Sequence, residues 1–432
     1  MKPAAPSPAR RGAPNGRRAD AERPAPNGVI LRVAAIIGLA ELGFATVIPL
    51  LPLHLTEQLG ASVKLVGVVV AAFALTETFL KTAWGSVADR LGRRPMITFG
   101  LLLSSVAPVL MSVVRQAWLF IPLRLIDGAG SSALWPAASA IIADTTPAHR
   151  RATAMGALNM FFLAGLAFGP SLGLFVVALF DSYAAGFYMA AVLLFAAGIV
   201  AAVALRDLGH THLQPSGADV VGYHGTAPSP ELDAVVEETR RVPLLGVMLV
   251  VAFVQMFGAG LLAPILVIYA KRIVGLSEHM MGTLFLVFML VVALASLAAG
   301  HLADRWGKMR AISLGMVTGS VGLWLLPLSP RLSMLAASGL LIGVGYALST
   351  PAWNAMVSEL APPGRVGLAM GASQTAQGLG LVLGPLLGGL MWDTLGHRAP
   401  FLGAAALLTF GTVVLLWGMR RVARGVALSA PR

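Results

Sequence analysis

The sequence has no cysteine and few charged residues. Without cysteine, the chain has no disulfide, no thiolate metal site and no cysteine nucleophile. Charged residues make up only 12% of the chain, whereas soluble domains usually carry about 25%, so there is too little charge to cover a water-exposed surface. Hydrophobic residues reach 57%. We therefore expect a membrane protein and not a soluble enzyme.

Long apolar runs divide the chain into twelve candidate membrane spans, because about 20 apolar residues in a helix cross a bilayer. The 48 glycines and 27 prolines agree with this interpretation, since membrane helices tolerate both residues. The predicted fold class is an all-α polytopic membrane protein. The spans are expected at 29–55, 65–84, 96–114, 117–144, 152–180, 184–205, 242–270, 278–299, 310–328, 332–359, 365–391 and 400–419.

The apolar runs fall into two groups of six, separated by a polar stretch. Residues 1–28 are rich in proline, alanine and arginine, which predicts a disordered basic tail. The rest of the chain is expected to form a six-helix bundle at 29–205, a linker at 206–241, a second six-helix bundle at 242–419 and a second tail at 420–432.

Basic residues lie mainly on one side of the predicted membrane. The side of the N-terminal tail holds 23 of the 31 lysines and arginines, the other side holds 6, and Lys81 and Arg124 lie within spans. Because basic loops stay in the cytoplasm, both termini and the linker are predicted to be cytoplasmic, with the chain in the plasma (inner) membrane. The basic residues are spread over many short loops, so we expect no nucleic-acid partner.

The two groups of spans repeat each other at a fixed offset of 215 residues. The repeated unit keeps its orientation, so we expect a pseudo-two-fold axis along the membrane normal and a binding site between the halves near the midplane. The matched pairs include Gly85 and Gly300, Asp89 and Asp304, Arg90 and Arg305, Gly92 and Gly307, Pro136 and Pro351, Gly156 and Gly371, Gly169 and Gly384, and Pro170 and Pro385.

A glycine-rich basic loop follows span 2 and returns in a weaker form after span 8. The first copy reads Gly85-Ser86-Val87-Ala88-Asp89-Arg90-Leu91-Gly92-Arg93-Arg94, and the second begins at Gly300. The loop resembles the loop 2–3 signature of the major facilitator superfamily, and the resemblance extends from residue 29 to about residue 419. It implies two six-helix bundles, with about twelve helices, related by a pseudo-two-fold axis.

The resemblance also implies a gate on the cytoplasmic side. Asp89 would hold the halves together near the start of span 11, at 362–367, because the free N–H groups of a helix N-terminus favour an anion. Arg90 or Arg93 would pair with Asp144 at the end of span 4. The alternative is that these basic loops only fix the orientation. The implied gate residues are Gly85, Asp89, Arg90, Gly92, Arg93 and Asp144, mirrored by Asp304, Arg305 and Glu359.

Span 5 carries small residues at helical spacing, and they resemble the family motif that is associated with antiporters, chiefly drug/proton exporters. Leu174 departs from this motif where the family has a second glycine, and the complete pattern stands in span 11. The resemblance implies export, whereas the alternative is close helix packing alone. The motif residues in span 5 are Gly156, Gly165, Gly169, Pro170 and Gly173.

Several ionisable residues lie deep within the predicted spans, where charges are costly and indicate functional sites. Glu41 in span 1 lies near the midplane with no counter-charge beside it in sequence, so it is the first candidate for reversible proton binding. Arg124 and Asp127 share one face of span 4, in a stretch that resembles the family motif Arg-x-x-x-Gly. Glu77 and Lys81 in span 2 are spaced as a helical ion pair. The resemblance implies proton coupling at Glu41 and Arg124. Asp127, which stands where the family commonly has Gln, and Glu77 are further candidates, with structural pairing as the alternative for each pair and as the favoured interpretation of Glu77.

By the same resemblance, spans 1, 4, 7 and 10 line a central cavity, together with parts of spans 2, 5, 8 and 11. Aromatic and amide side chains near a buried acid suit a hydrophobic or cationic ligand. The candidate wall residues are Trp135, Asn159, Phe162, Gln255, Tyr346, Trp353, Asn354, Gln374 and Gln377.

The expected function is proton-coupled efflux of hydrophobic or cationic small molecules by alternating access. Proton-coupled uptake or efflux of a sugar, an organic acid or another metabolite on the same fold is the alternative. The expected partners are a small-molecule substrate, protons and the lipid bilayer. We expect a monomer that is driven by the proton gradient and has no cofactor and no metal.

Overall fold

The structure is a computed structural model that describes residues 26–147, 150–208, 243–328, 331–361 and 366–429. These ranges are almost wholly helical and contain no β-strand. The expected N-terminal tail and central linker lie mostly outside the described residues.

Fourteen α-helices make up the described part of the chain. The first half contains α1 (Pro26–Leu53), α2 (Val63–Leu91), α3 (Arg93–Val113), α4 (Phe120–Ser131), α5 (Leu134–Thr145), α6 (Arg151–Phe180) and α7 (Tyr183–Ala204). The second half contains α8 (Pro243–Leu262), α9 (Ile265–Arg272), α10 (Glu278–Trp306), α11 (Lys308–Leu325), α12 (Leu332–Leu360), α13 (Val366–Leu395) and α14 (Ala399–Ser429).

About twelve membrane spans result, because α4 and α5 form one interrupted span and α8 and α9 form another. Within the described ranges, ten spans are long and apolar enough by themselves to cross a membrane. The fourth span falls short because Arg124, Asp127 and several serines and glycines lower its mean hydropathy, whereas the interrupted span of α8 and α9 is apolar enough. The ninth, α11, falls short because its first turn contains Lys308 and Arg310. The predicted all-α polytopic fold is confirmed.

The backbone repeats with the same 215-residue offset as the sequence. Helices α2 and α10 begin and end at matching positions, and so do α6 and α13. The positive-φ residues described also fall into matched pairs: Gly60 with Gly275, Gly92 with Gly307, and Asp181 with Gly396. The predicted internal repeat is therefore a structural one that extends to individual turns.

The hydrophobic core differs between the two ends of the bundle. We call the end where α1 begins the tail end, and the end with the turns at Gly60 and Gly275 the far end. At the far end, one core cluster contains residues of both halves, such as Phe187 and Ile265. At the tail end, one cluster contains only residues of the first half, and another contains only residues of the second half. Among the described residues, the halves therefore share a hydrophobic core at the far end, and their contact continues along α2 and α13 to mid-helix, where an added side chain at Gly378 would overlap with Thr78.

Candidate functional site

A buried ion pair lies inside the first half, on α4. Nη1 of Arg124 donates a hydrogen bond to Oδ2 of Asp127 at 2.5 Å, and both residues are buried. The guanidinium carbon lies 4.0 Å from the ring centroid of Phe73 on α2, which is a cation–π distance. The hydroxyl of Ser104 on α3 donates to the backbone carbonyl of Asp127 at 3.0 Å. Helices on two sides therefore hold this pair in place.

A second ion pair lies close by on α2. Nζ of Lys81 lies 2.8 Å from Oε1 of Glu77, one helical turn away, and both side chains are partly exposed. Glu77 is also near enough to interact electrostatically with Arg124 and Asp127. The two pairs therefore belong to one group of charges, which the sequence places on separate spans.

Glu41 lies on α1 beside these pairs. An added side chain at Gly165 on α6 would come within 2.8 Å of the Glu41 Cβ, so the absence of a side chain at this glycine allows α1 and α6 to approach closely. Glu41 is partly buried, and among the described residues it makes no hydrogen bond or ion pair. Its charged neighbours are Glu77 and Lys81.

These residues form what we call the charge cluster: Glu41, Glu77, Lys81, Arg124 and Asp127. Two carboxylates have a cation as partner, and Glu41 is the third carboxylate, without one. A charge in an apolar interior is unfavourable unless it is paired. One proton or one monovalent cation at Glu41 would make the whole cluster neutral.

The small residues of α6 form its contact with α1. Added side chains at Gly169 and Gly173 would overlap with Ala45 and Thr46 of α1, and Pro170 is buried between these glycines. An added side chain at Gly156, nearer the tail end, would meet nothing within 4 Å. In the motif that implied export, Gly169 and Gly173 therefore have a packing role, whereas Gly156, nearer the tail end, borders open space.

The second half repeats this arrangement between α13 and α8. Added side chains at Gly380, Gly384 and Gly388 would overlap with the α8 backbone, and one at Gly371 would meet nothing within 4 Å. The extra glycine of this copy, Gly389, lies against Val63 and Lys64 of α2. Its counterpart Leu174 is fully buried in the far-end core. At this position the second half therefore has a glycine that allows close backbone contact between the halves, whereas the first half has a leucine that packs in the core.

The candidate wall residues differ in their surroundings. The rings of Trp135 and Phe162 lie 5.4 Å apart in an edge-to-face arrangement. Asn159 on α6 and its counterpart Gln374 on α13 are both exposed. Among the others, Gln255 and Asn354 are partly buried, and the Gln377 amide donates to Ser373 on its own helix at 3.2 Å.

Trp353 requires a correction, because it does not lie in an open wall. It is only 5% exposed and packs in the tail-end core of the second half with Met248 of α8, Ile312 of α11 and Leu415 of α14. This face of α12 is turned toward the interior of its own bundle. We therefore remove Trp353 from the candidate cavity.

Tyr346 is 49% exposed. It was predicted to line the central cavity, but the contacts of its neighbours on α12 indicate another direction. Ser349 on one side of it contacts α11, and Gly343 on the other side lies against Phe288 of α10. Tyr346 falls between these contacts in the helical register, since successive residues are about 100° apart. It therefore lies over the groove between α10 and α11.

The predicted gate pairs are present at the tail end, with one change. Of the two candidates in the first half, Arg93 and not Arg90 pairs with Asp144. In the second half, Lys308 pairs with Glu359, whereas the sequence prediction named Arg305. The reason is register: Lys308 matches Arg93 under the offset, and both follow a positive-φ glycine at the start of a helix.

Other gate residues are only partly described. Gly85 is buried, Arg90 is exposed, and Gly92 has φ of 94°, a conformation that glycine adopts readily. The side chains of Asp89 and Asp304, and residues 362–365 that Asp89 was predicted to face, lie outside the described part of the chain. The role of Asp89 stays a prediction.

Polar links join the halves at the far end, and the sequence did not predict them. Arg272 of α9 lies 2.7 Å from Oε1 of Glu57 and also donates to the Thr56 carbonyl at 2.8 Å. The hydroxyl of Tyr183 donates to Glu278 at 3.0 Å. We call these contacts, with the one described next, the far-end links.

A third link connects α2 to α13: the backbone N–H of Lys64 donates to Oδ2 of Asp393 at 2.8 Å. Lys271 supports the second link from within its own half, because its Nζ lies 2.7 Å from Glu278. The sequence did contain one indication of these links. Lys271 and Arg272 belong to the six basic residues on the side of the membrane where the positive-inside rule predicts few. A basic residue on that side is expected to have a nearby acidic partner.

Two repeated six-helix bundles that share a core at one end and have separate cores at the other are typical of a membrane transporter. The chain matches the family model described as Major Facilitator Superfamily over residues 33–256 and 248–431. It belongs to this superfamily, as its loop motifs indicated.

Several curated relatives are similar over most of the chain. Multidrug resistance protein 2 of Bacillus subtilis (strain 168) is 24% identical over 385 residues, which is 88% of this chain and 93% of that protein. Tetracycline resistance protein, class E, of Escherichia coli is 28% identical, with 84% of this chain and 87% of that protein covered. Quinolone resistance protein NorA of Staphylococcus aureus (strain MRSA252) is 25% identical, with coverage of 88% and 94%.

Solved structures confirm the fold. A bacterial homologue of the human lysosomal transporter Spinster, inward-facing and occupied, has a TM-score of 0.73 at 15% identity and covers 91% of this chain and 96% of that chain. The nucleoside transporter NupG has a TM-score of 0.69 at 14% identity, with coverage of 91% and 99%. The two-bundle fold with about twelve helices is thus established for this chain.

Proposed function

We propose that this transporter exports hydrophobic or cationic small molecules in exchange for protons. One observation carries the proposal: the charge cluster has one carboxylate, Glu41, more than its cations can pair. A proton and a cationic substrate would compete for this carboxylate, since either one neutralises the cluster. Such competition ties the exit of substrate to the entry of a proton. Relatives whose names record multidrug, tetracycline and quinolone resistance support export.

The arrangement of the halves fits the proposed export cycle. Because basic loops stay in the cytoplasm, we propose that the tail end and both termini are cytoplasmic, with the chain in the plasma membrane. The hydrophobic cores of the two halves are separate at this end, so the halves can part there to admit a substrate for export. In the opposite state the first half would rock against the second, the far-end links would break, and the gate around Asp89 and Arg93 would close.

The proposed transporter works as a monomer and takes its energy from the proton gradient, without a cofactor. Its proposed partners are protons, a small-molecule substrate and the bilayer. Exposed amides at Asn159 and Gln374 occupy matching positions of the repeat and are proposed to contact substrate, together with Trp135, Phe162, Gln255, Asn354 and Gln377.

The test uses everted membrane vesicles with an acidified interior and a pH-sensitive dye. A panel of lipophilic cations is added to vesicles that contain the wild type, Glu41→Gln or the control Met256→Gln, which changes the matching position of the second half. We expect some compounds to collapse the gradient with the wild type and the control but not with Glu41→Gln, at equal amounts of protein in the membrane.

Two other results would contradict the proposal. If Glu41→Gln exchanges protons as well as the wild type, Glu41 is not the coupling site. If no compound collapses the gradient, and intact cells accumulate a sugar, an organic acid or another metabolite through this protein, uptake replaces export on the same fold. The similarity of the fold to that of a nucleoside transporter makes this second candidate worth the same assay.

A further inference from the structure

A shallow, open basic pocket, which we call the basic cavity, lies at the tail end of the second half, around the turn between α10 and α11, and the proposed proton coupling and substrate contacts do not use it. Its volume is about 740 Å³. It is lined by Arg305, Trp306, Gly307, Lys308, Met309, Arg310, Met356 and Glu359. Three cations and one carboxylate therefore line the cavity, and it suits an anionic ligand.

Lys308 and the two arginines have different roles in this cavity. Lys308 is bound by Glu359 of α12, which fixes the turn to the end of that helix. Arg305 and Arg310 are exposed on either side of the turn. These two guanidinium groups remain for a ligand, and guanidinium groups match phosphate oxygens in geometry as well as in charge.

The α10 side of the cavity continues a lipid-facing surface. Val287, Leu290 and Leu294 are each more than half exposed along one stripe of α10, opposite the face that packs against α12 and α6. Arg305 follows Leu294 by eleven residues, which is close to three helical turns, so it ends the same stripe. An arginine at the end of an apolar stripe places its charge at the level of the lipid headgroups.

The α11 side has the same arrangement. Leu314, Val317 and Val321 are exposed along one stripe, and Arg310 precedes Leu314 by four residues, so it lies at the end of that stripe. Trp306 in the turn between the two stripes is 49% exposed, and tryptophan is enriched at membrane interfaces. Both arginines thus face the bilayer boundary and not the interior of the transporter.

We propose that this cavity binds the phosphate of an anionic phospholipid headgroup between Arg305 and Arg310. Lipid is the source, because both arginines end stripes that lie against acyl chains. A basic pocket at the ends of membrane helices recognises such headgroups. At the matching positions the first half has Pro95 and Leu91 in place of Arg310 and Trp306, and its additional arginine, Arg94, donates to the Ala202 carbonyl of its own bundle at 2.8 Å.

The experiment measures lipid binding to the full-length protein by native mass spectrometry. Delipidated wild type, Arg305→Gln with Arg310→Gln, and the matched first-half variant Arg90→Gln are titrated with phosphatidylglycerol or phosphatidylcholine. We expect phosphatidylglycerol to bind the double glutamine variant on the order of tenfold to thirtyfold more weakly than the wild type, from two cations near a charged surface. Arg90→Gln should bind as the wild type does.

Two control measurements distinguish the proposal from misfolding and from binding of a soluble anion. Arg305→Lys with Arg310→Lys keeps both charges and should retain most of the binding, which separates loss of charge from misfolding. Inorganic phosphate in solution should not displace phosphatidylglycerol, since it lacks acyl chains. Equal binding by the wild type and the double glutamine variant would overturn the proposal. Displacement by inorganic phosphate would also overturn it and identify a site for a soluble anion.

Discussion

The two halves of this transporter share one backbone but not one interior. Their helices and unusual turns match at an offset of 215 residues, yet the charge cluster belongs to the first half alone. The positions that match Glu41, Glu77, Lys81, Arg124 and Asp127 in the second half are Met256, Val292, Ser296, Gly339 and Ile342. The fold therefore does not need these charges, because the second half forms the same bundle without them.

This difference separates the requirements of the fold from those of transport. Glycine spacing is retained in both halves, since α6 packs on α1 as α13 packs on α8. Charged residues in the membrane are costly and persist where they have a use. We infer that the first half carries proton coupling, whereas the second half supplies a mainly apolar surface against which it rocks. Four predictions test this difference between the halves.

The largest expected effect comes from locking the halves together at the far end. The chain has no cysteine, so Glu57→Cys with Arg272→Cys can be joined selectively by a short bifunctional methanethiosulfonate. We expect complete arrest of efflux and full recovery after reduction, because these residues lie in different halves. Lys271→Cys with Glu278→Cys is the control, since it joins residues of one half. Efflux that continues through the locked pair would rule out rocking at this interface.

The next effect concerns the buried ion pair. Arg124→Met leaves Asp127 buried without its partner, and we expect unfolding to become easier by about 3–5 kcal/mol. Arg124→Met with Asp127→Ile imitates the apolar second half and should recover most of that loss, although proton exchange stays absent. Thermal unfolding in detergent and the vesicle assay measure the two properties. If the double variant still exchanges protons, the Arg124–Asp127 pair is not part of the coupling path, and the coupling role is limited to Glu41 and its charged neighbours on α2.

A smaller difference is expected between the two interfaces that join the halves, α2 with α13 and α6 with α10, when a methyl group is added to each. An added Cβ at Gly67 would overlap with the Pro385 carbonyl, whereas one at the matching Gly282 would meet the Phe175 ring at 3.1 Å. Backbone cannot yield as a ring can, so Gly67→Ala should cost about 1–3 kcal/mol and Gly282→Ala less than about 1 kcal/mol. Unfolding temperatures of the two variants test this order. Equal shifts would mean that the interfaces are equally close.

The smallest effect is expected at a matched pair of turns. Asp181 has φ of 48° and its counterpart Gly396 has φ of 94°. Gly396→Ala should destabilise the protein by about 1 kcal/mol, because a side chain is strained in that region. Asp181→Gly should change stability by less than about 0.5 kcal/mol, since relief of strain is offset by the greater freedom of glycine in the unfolded chain. The two variants are compared by thermal unfolding, and an opposite order would show that the turns are not equivalent.

Much of the fold could be predicted from the sequence, because the relevant signals are local. Spans follow from apolar runs that are long enough to cross a bilayer, although α2 extends through Leu91 and not only to residue 84. The repeat follows from matched residues, and the pairs Glu77–Lys81 and Arg124–Asp127 follow from helical spacing. Family membership was predicted from the loop beginning at Gly85 and is confirmed by the match to the family model.

Contacts between side chains of different helices depend on how the helices pack and could not be predicted from the sequence. A step of one residue turns a side chain by about 100°, so composition could not place Trp353 in a core, assign Lys308 and not Arg305 to Glu359, or bring Glu41 beside the Glu77–Lys81 pair. The partners in the far-end links could not be identified for the same reason, since Glu57 and Arg272 are 215 residues apart. The sequence determined the spans, their repeat and the ion pairs within single helices, because these depend on local spacing. The rotation and packing of the helices brought those pairs together and left Glu41 beside them without a cation.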